Sequence, residues 1–396
     1  MRLATTLIAL GLVGILTGPS SIADPGRIRA RDLGVPFDGT PGELNAITDV
    51  TGVEVGYSTI ISGNGSLEVG KGPVRTGVTA ILPRGKKSVS VPVFAAWFSQ
   101  NGFGEMTGTT SIEERGFLRG PVMITNTHSV GTVHEAVIAW RVKQGEPDAG
   151  GWWSLPIVAE TYDGVLNDIN GFHVGPQHAI QALESAKSGV VEEGNVGGGT
   201  GMICYGFKGG TGTASRKTED DEGGFTVGVL VQANHGGKKQ LLVAGVPVGR
   251  ELAEKPGLSK QLWGKGDDVG SIIIVIATDA PLLPHQLKRV ARRATMGLAR
   301  TGSTSGNGSG DIFVAFSTAN TEAARDKGIA NVKMLPNERI DPLFEATVQA
   351  TEEAIINAIV AAKTMTGIND TQVVALPHDE MKDVLKKYGR LTSSTD

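Results

Sequence analysis

The chain has 396 residues, 40% of them hydrophobic and 20% charged, an ordinary composition for one or two soluble domains with ample material for a core. A formal net charge of −4 without a long Lys/Arg block excludes a nucleic-acid footprint, and a single cysteine, Cys204, excludes an intrachain disulfide. The 56 glycines imply many tight turns and close backbone approaches, as in a strand-rich or layered α/β protein.

Met1-Arg2-Leu3 precedes an apolar stretch from Leu7 to Leu16 and then Ser21-Ile22-Ala23. One early positive charge, a short apolar core and small residues before Asp24 predict a secretory signal over residues 1–23, cut after Ala23. The stretch is short for a spanning helix, with a membrane anchor as the alternative. The mature chain is then expected outside the cytoplasm, periplasmic or secreted, and not in the membrane.

Residues 28–51 are turn-rich and read as an ordered lead-in. Short β-branched runs from Val53 to Thr59, Val74 to Leu82, Val89 to Phe98 and Pro121 to Thr125, separated by Gly, Pro and Ser, predict strands. The glycine-rich loop Asn101–Gly108 lacks the phosphate-cradling G-x-x-x-x-G-K-[ST] pattern. Asn101 and Asn126 follow strands, where a turn role competes with a place at a site. Thr132 to Lys143 predicts a helix; its His134-Glu135 has no second histidine at zinc-binding spacing, so no metal is expected. A second helix is predicted from Pro176 to Lys187, and a hairpin around Met202 to Phe207. Cys204 lies in that apolar run and reads as a buried structural residue.

The charged stretch from Arg216 to Gly224 reads as a solvated loop, followed by strands from Phe225 to Asn234 and Gln240 to Val248. Glu251 to Asp268 reads as a polar loop. A basic helix is predicted from Pro284 to Arg300, a buried strand from Ile312 to Ser317, and a long helix from Pro342 to Thr364. Strand clusters mixed with separated long helices suggest helices packed outside two stacked sheets.

The run Ser271-Ile272-Ile273-Ile274-Val275-Ile276-Ala277 predicts a strand buried on both faces, yet it opens on a serine directly after Gly270. Gly-Ser at a loop-to-strand junction lets the serine hydroxyl attack the unshielded glycine carbonyl. Cleavage there leaves Ser271 with both a hydroxyl and an α-amine, which titrates near ~7.7 to 8.0 and can act as a base. The alternative is a turn glycine followed by a strand cap.

Ser309 and Asp311 stand two apart at a strand entry, so a hydroxyl and a carboxylate share one face; Gly308-Ser309-Gly310-Asp311 also reads as an ordinary turn. Asn234 ends its strand and can donate to a developing oxyanion, or form a turn before His235-Gly236. Glu160 and Tyr162, again two apart, suit a substrate ammonium and the neighbouring carbonyl. Trp153 can wall an apolar pocket or belong to the core.

Gly270-Ser271 with its Ile/Val run, Val231-Gln232-Ala233-Asn234 upstream and Gly308-Ser309-Gly310-Asp311 downstream resemble the family of L-aminopeptidase D-Ala-esterase/amidases and β-peptidyl aminopeptidases, from about Ile28 to Met365. The resemblance implies an α/β fold of four layers, an α-β-β-α sandwich of the N-terminal-nucleophile hydrolases. It also implies self-cleavage between Gly270 and Ser271 into a larger fragment, 24–270, and a smaller one, 271–396, that stay together as one catalytic domain. In that family Ser271 would be the nucleophile, assisted by Ser309 and Asp311, with Asn234 and Tyr162 at the oxyanion, Glu160 on the substrate amine and Trp153 in the pocket. Asp311 stands where glutamate is expected, and its carboxylate would reach about 1.5 Å less far. The resemblance further implies homo-oligomers, tetramers among them, no cofactor, and short peptides, amides or esters with a free amino terminus as substrates, β-amino residues foremost. The rivals are a secreted Ser-His-Asp hydrolase, for which no G-x-S-x-G elbow occurs, and a non-catalytic periplasmic binding protein.

Overall fold

The computed structural model of the chain describes residues 28–145, 152–255, 269–325 and 327–392. The expected signal segment and residues 256–268, the stretch before the Gly270-Ser271 bond, lie outside the described residues.

Two sheets dominate a mixed α/β fold. The first joins β1 (Glu54–Ser62), β2 (Val74–Leu82), β5 (Val122–Asn126) and β6 (Ile157–Thr161) in the order β1-β2-β5-β6. The second runs β4-β3-β12-β11-β10-β9, with β3 at Val93–Gly102, β4 at Phe117–Leu118, β9 at Gly210–Lys217, β10 at Thr226–Asn234, β11 at Val269–Thr278 and β12 at Gly308–Ser317. A small hairpin, β7 (Ile203–Cys204) and β8 (Phe207–Lys208), stands apart from both. The helices are α1 (Thr109–Arg115), α2 (Val130–Lys143), α3 (Pro176–Ser185), α4 (Val248–Ala253), α5 (Pro284–Arg300), α6 (Asp341–Ala361) and α7 (His378–Lys387).

The period of two along β11 explains why its run carries no polar alternation. Ile272, Ile274 and Ile276 join a core with Leu287, Val290, Ala294 and Leu298 of α5 and Ala350, Ala354, Ile355 and Ile359 of α6. Ile273, Val275 and Ala277 turn to the other face and meet Ile81, Val122, Ile124, Ile157 and Ala159 of the four-stranded sheet. Both faces are dry, so both sets of positions must be apolar. A third core packs Val78, Ala80 and Met123 against Val133, Val137 and Trp140 of α2 and Ala179, Ala182 and Leu183 of α3.

Several elements depart from the sequence reading. Residues 240–248 do not form a strand: Val243 and Val246 pair across a tight turn in which Ala244 and Gly245 both take positive φ, and α4 starts at Val248 after Pro247. A two-residue reversal cuts the apolar run before a strand can extend. β3 starts at Val93 and continues to Gly102, carrying Asn101 into the sheet. β12 starts at Gly308 and not at Ile312, so Ser309 and Asp311 lie within the strand and the alternative turn reading does not hold.

The lead-in is ordered because a buried carboxylate holds it. Glu353 of α6 takes a two-pronged ion pair from Arg31, with Nε and Nη2 each at 2.8 Å, and accepts from Asn45 Nδ2 at 2.6 Å. Arg216, assigned to a solvated loop by its charged neighbours, is instead fully buried and bonds Glu353 Oε2 at 2.7 Å. Removing one partner of such a buried group strands the other charges without water. Glu353→Ala is therefore expected to lower stability by about 3–5 kcal/mol, read as a shift in the urea unfolding midpoint.

Candidate active site

The site forms at the mouth of the β10-β11-β12 segment. β11 pairs antiparallel with β10, setting Ser271 opposite Asn234, and parallel with β12, setting Ser271 opposite Gly310 and Gly270 opposite Ser309. The parallel register is uncommon within this sheet, and it brings two strand entries side by side. Ser271 is nearly buried, and the Gly310 N–H donates to its Oγ at 3.1 Å.

Gly270 has φ +112°, and a Cβ there would stand 2.0 Å from the Asn234 carbonyl oxygen. Only glycine fits that backbone, which leaves the carbonyl preceding Ser271 without a shielding side chain.

Ser309 and Asp311 share a face, as the period of two requires, and Ser309 Oγ donates to Asp311 Oδ1 at 2.5 Å. Both are fully buried. The shorter aspartate reaches its serine directly, without a bridging water. Next to it the pairing of β12 with β3 shifts register between Asp311 and Ile312, an irregularity of the kind that re-aims side chains beside sites. Asn101, on the facing strand, donates to the Ser309 carbonyl at 2.5 Å and to Gly306 at 3.1 Å. It thus braces the entry of β12.

Asn234 is fully buried. Its Oδ1 accepts from Ile203 N–H at 2.8 Å and its Nδ2 donates to the Tyr162 carbonyl at 3.0 Å. One amide hydrogen is thereby fixed, and the second remains for another acceptor. Tyr162 follows β6 and is 40% exposed. Its link to Asn234 is through the backbone, while its phenol lies over Gly164, where a Cβ would stand 2.3 Å from the hydroxyl oxygen.

Glu160, on β6, is buried. Its Oε2 accepts from Thr127 Oγ1 at 2.5 Å and its Oε1 from the Glu105 N–H at 3.1 Å. Burial pushes its carboxyl above the ordinary carboxylate range, against the opposing pull of the Thr127 and Glu105 hydrogen bonds. Gly104 closes the gap to the serine: a Cβ on it would lie 3.3 Å from Glu160 Oε1 and 3.0 Å from Gly310 Cα. The Glu160 carboxylate and the Gly310 main chain beside Ser271 thus flank one glycine. Nearby Asp163 is pushed up to about 7 by complete burial, with Thr76, Asn167 and Asn126 bonding against that shift.

Trp153 is not part of this group. It is 60% exposed, carries the Arg115 guanidinium over its ring at 5.3 Å, and lines a separate recess with Arg119, Trp152 and Leu155. None of Ser271, Ser309, Asp311, Asn234, Tyr162 and Glu160 lines that recess. A tryptophan pair marks apolar surface in a sequence, but the chain path decides which surface. Thr127 and Asn101 are the reverse case: each touches the site, yet a threonine or asparagine at the end of a strand reads as turn chemistry. Cys204 is buried as expected, with Sγ 3.7 Å from His235 Nδ1.

The profile of peptidase family S58 matches residues 45–373. The chain is 57% identical over 391 residues to the β-peptidyl aminopeptidase BapA of Sphingosinicella microcystinivorans, covering 96% of each. Among solved structures, the L-aminopeptidase D-Ala-esterase/amidase of Ochrobactrum anthropi, described as a variant of the N-terminal-nucleophile hydrolase fold, superposes with a TM-score of 0.85 at 50% identity, over 92% of this chain and 99% of that one. A Burkholderia β-aminopeptidase gives 0.83 at 46% identity, over 91% and 99%. Fold and sequence together define an aminopeptidase with the N-terminal-nucleophile hydrolase fold. The chain belongs to peptidase family S58.

Gly310 tests the geometry. A Cβ there would stand 2.7 Å from both Gly104 Cα and the Phe103 carbonyl, main-chain atoms that cannot swing aside. Gly310→Ala is expected to displace the N–H from Ser271 and lower kcat/KM about 100-fold on an aminoacyl p-nitroanilide, with the far-UV dichroism unchanged.

Proposed function

We propose that this chain is a self-processed serine aminopeptidase that releases N-terminal residues, β-amino residues foremost, from short peptides, amides and esters. The observation that carries the reading is the constellation at one sheet mouth: Ser271 after an unshielded glycine, a main-chain donor on its oxygen, and the Ser309–Asp311 pair on the adjoining strand.

In the maturation step, Ser271 Oγ attacks the Gly270 carbonyl carbon. The C–N bond breaks as the ester forms, the nitrogen takes the proton, and water then hydrolyses the ester. The products are a fragment ending at Gly270 and a fragment beginning at Ser271, which stay packed because β11 is hydrogen-bonded on both sides. In turnover the same oxygen attacks the carbonyl of the substrate's first residue, the new α-amine receives the serine proton, and Ser309 with Asp311 fixes the proton's path. The second N–H of Asn234 faces the developing oxyanion, with Tyr162 beside it. Collapse expels the amine leaving group with a proton, and water frees the acid from the acyl-enzyme. Glu160 pairs with the substrate ammonium, and its distance from Ser271 sets how much backbone lies between amine and carbonyl.

Preference for a β-amino residue follows the named activities of the Sphingosinicella and Burkholderia relatives. The same reading includes a four-layer α-β-β-α arrangement, supported by the three cores, export after cleavage at Ala23, and assembly into tetramers.

Intact mass with N-terminal sequencing tests the first step. The wild type is expected to give two fragments, one starting Ser-Ile-Ile-Ile, and Ser271→Ala one uncut chain without p-nitroanilide turnover; a fully active uncut wild type overturns the reading. Glu160 supplies a pH test. Its carboxyl pKa is raised, so the ionised form that pairs the ammonium is present above that value and lost as pH falls through it. KM is expected to climb on the acid side at a higher pH than an unperturbed carboxylate would give. Glu160→Gln removes that limb and raises KM about 10- to 100-fold at neutral pH.

A further inference from the structure

Lys208 is the most deeply buried cation among the described residues that the scheme above does not use. It ends β8 with no exposure, and no carboxylate among the described residues bonds it. Its Nζ donates to three carbonyl oxygens, Met202 at 2.8 Å, Gly209 at 2.9 Å and Gly199 at 3.3 Å. Three acceptors match the three hydrogens of an ammonium; a neutral amine would turn its lone pair on one of them.

The Met202 carbonyl belongs to the same peptide group as the Ile203 N–H, and that N–H donates to Asn234 Oδ1. A charge on one end of a peptide polarises the hydrogen bond at its other end, and such chains strengthen one another in a low-dielectric interior. The series runs from ammonium to Met202 carbonyl, to Ile203 N–H, to Asn234 carbonyl, and leaves the Asn234 amide hydrogens more positive. We infer that Lys208 is a positioning residue that, through the single Met202–Ile203 peptide, fixes and polarises Asn234 as the oxyanion donor for Ser271. The inference rests on the oxyanion role proposed for Asn234.

Complete burial lowers the Lys208 pKa to about 7, while Cys204 acts to raise it. The titratable groups around this hairpin are the Cys204 thiol, Tyr205 with His235 against its ring, Lys238, whose Nζ sits 4.7 Å above the Phe207 ring, and buried Asp163, whose Cβ lies 2.8 Å from where a Cβ on Gly201 would stand. Loss of the Lys208 proton removes the polarising charge, so activity should fall as pH rises through that ionisation. The sign is opposite to that of the Ser271 α-amine, whose loss of a proton creates the base.

The test is a double-mutant cycle on kcat with a β-alanyl p-nitroanilide, each rate referred to the amount of chain beginning at Ser271 by intact mass. Lys208→Met is expected to lower kcat about tenfold with KM unchanged, and to lower it no further in the Asn234→Ala background. Equal losses in both backgrounds, or a change in KM alone, overturn the role of Lys208 while leaving that of Asn234 standing. An Asn234→Ala enzyme with wild-type kcat overturns the oxyanion reading itself, and this inference with it. Should Lys208→Met fail to fold, the kcat–pH profile decides: an alkaline limb present in the wild type and missing in Asn234→Ala supports the inference, and one that persists in Asn234→Ala overturns it.

Discussion

The parallel pairing of β11 with β12 is the constraint from which the rest of the site follows. Parallel strands start at the same end, so two loop-to-strand junctions meet, and the register sets Ser271 beside Gly310 and Gly270 beside Ser309. A hydroxyl with a main-chain donor on its oxygen, and a hydroxyl–carboxylate pair on the neighbouring strand, then start at the same end of the sheet. Antiparallel β10 adds Asn234 at the same height. A slip of one residue in either pairing would send the serine to the opposite face of the sheet and into apolar packing.

Behind that edge, side-chain amides carry hydrogen bonds between separate segments. Asn101 braces the start of β12, Gln232 donates to the Thr125 carbonyl at 3.2 Å and to Thr161 Oγ1 at 2.7 Å, and Asn234 spans from the β7 hairpin to Tyr162. Gln232 and Asn234 lie on the face of β10 turned toward the four-stranded sheet, where apolar residues would be expected, and they stitch the ends of β5 and β6 to the six-stranded sheet. Buried amides of this kind cost free energy unless partnered, and each partner they take fixes the relative height of the two sheets. Glu160 sits on one sheet and Ser271 on the other, so that height sets the separation of the buried carboxylate from the serine hydroxyl.

The close approach of Phe103-Gly104 to Gly310 makes the wall between them. Glycine at 104 and 310 lets main chain meet main chain, and Glu160 fills the space that a side chain at 104 would take. The aspartate at 311 fits the same frame: the serine it contacts is two residues away on its own strand, so a carboxylate one carbon shorter still makes a bond of 2.5 Å. The recess at Trp153, with its arginine-stacked tryptophans, belongs to a different part of the surface.

From the order of residues alone, the doubly buried strand at Ser271, its glycine neighbour, the strand before Asn234 and the long helices near 284–300 and 342–364 are all readable, because each rests on local periodicity or local turn chemistry. The shared face of Ser309 and Asp311 is readable for the same reason, being a property of any two strand residues two apart. Only the tertiary structure decides that Arg216 and Lys208 are buried, that Thr127 and Asn101 belong to the site, that Trp153 does not, and that 240–248 folds back on itself before α4. Those outcomes depend on which distant segment lies opposite: Glu353 waits 137 residues away for Arg216, and three main-chain carbonyls close around Lys208. A charge written among other charges looks solvated until the chain supplies a partner that replaces water, and that partner is set by register and packing between elements far apart in sequence.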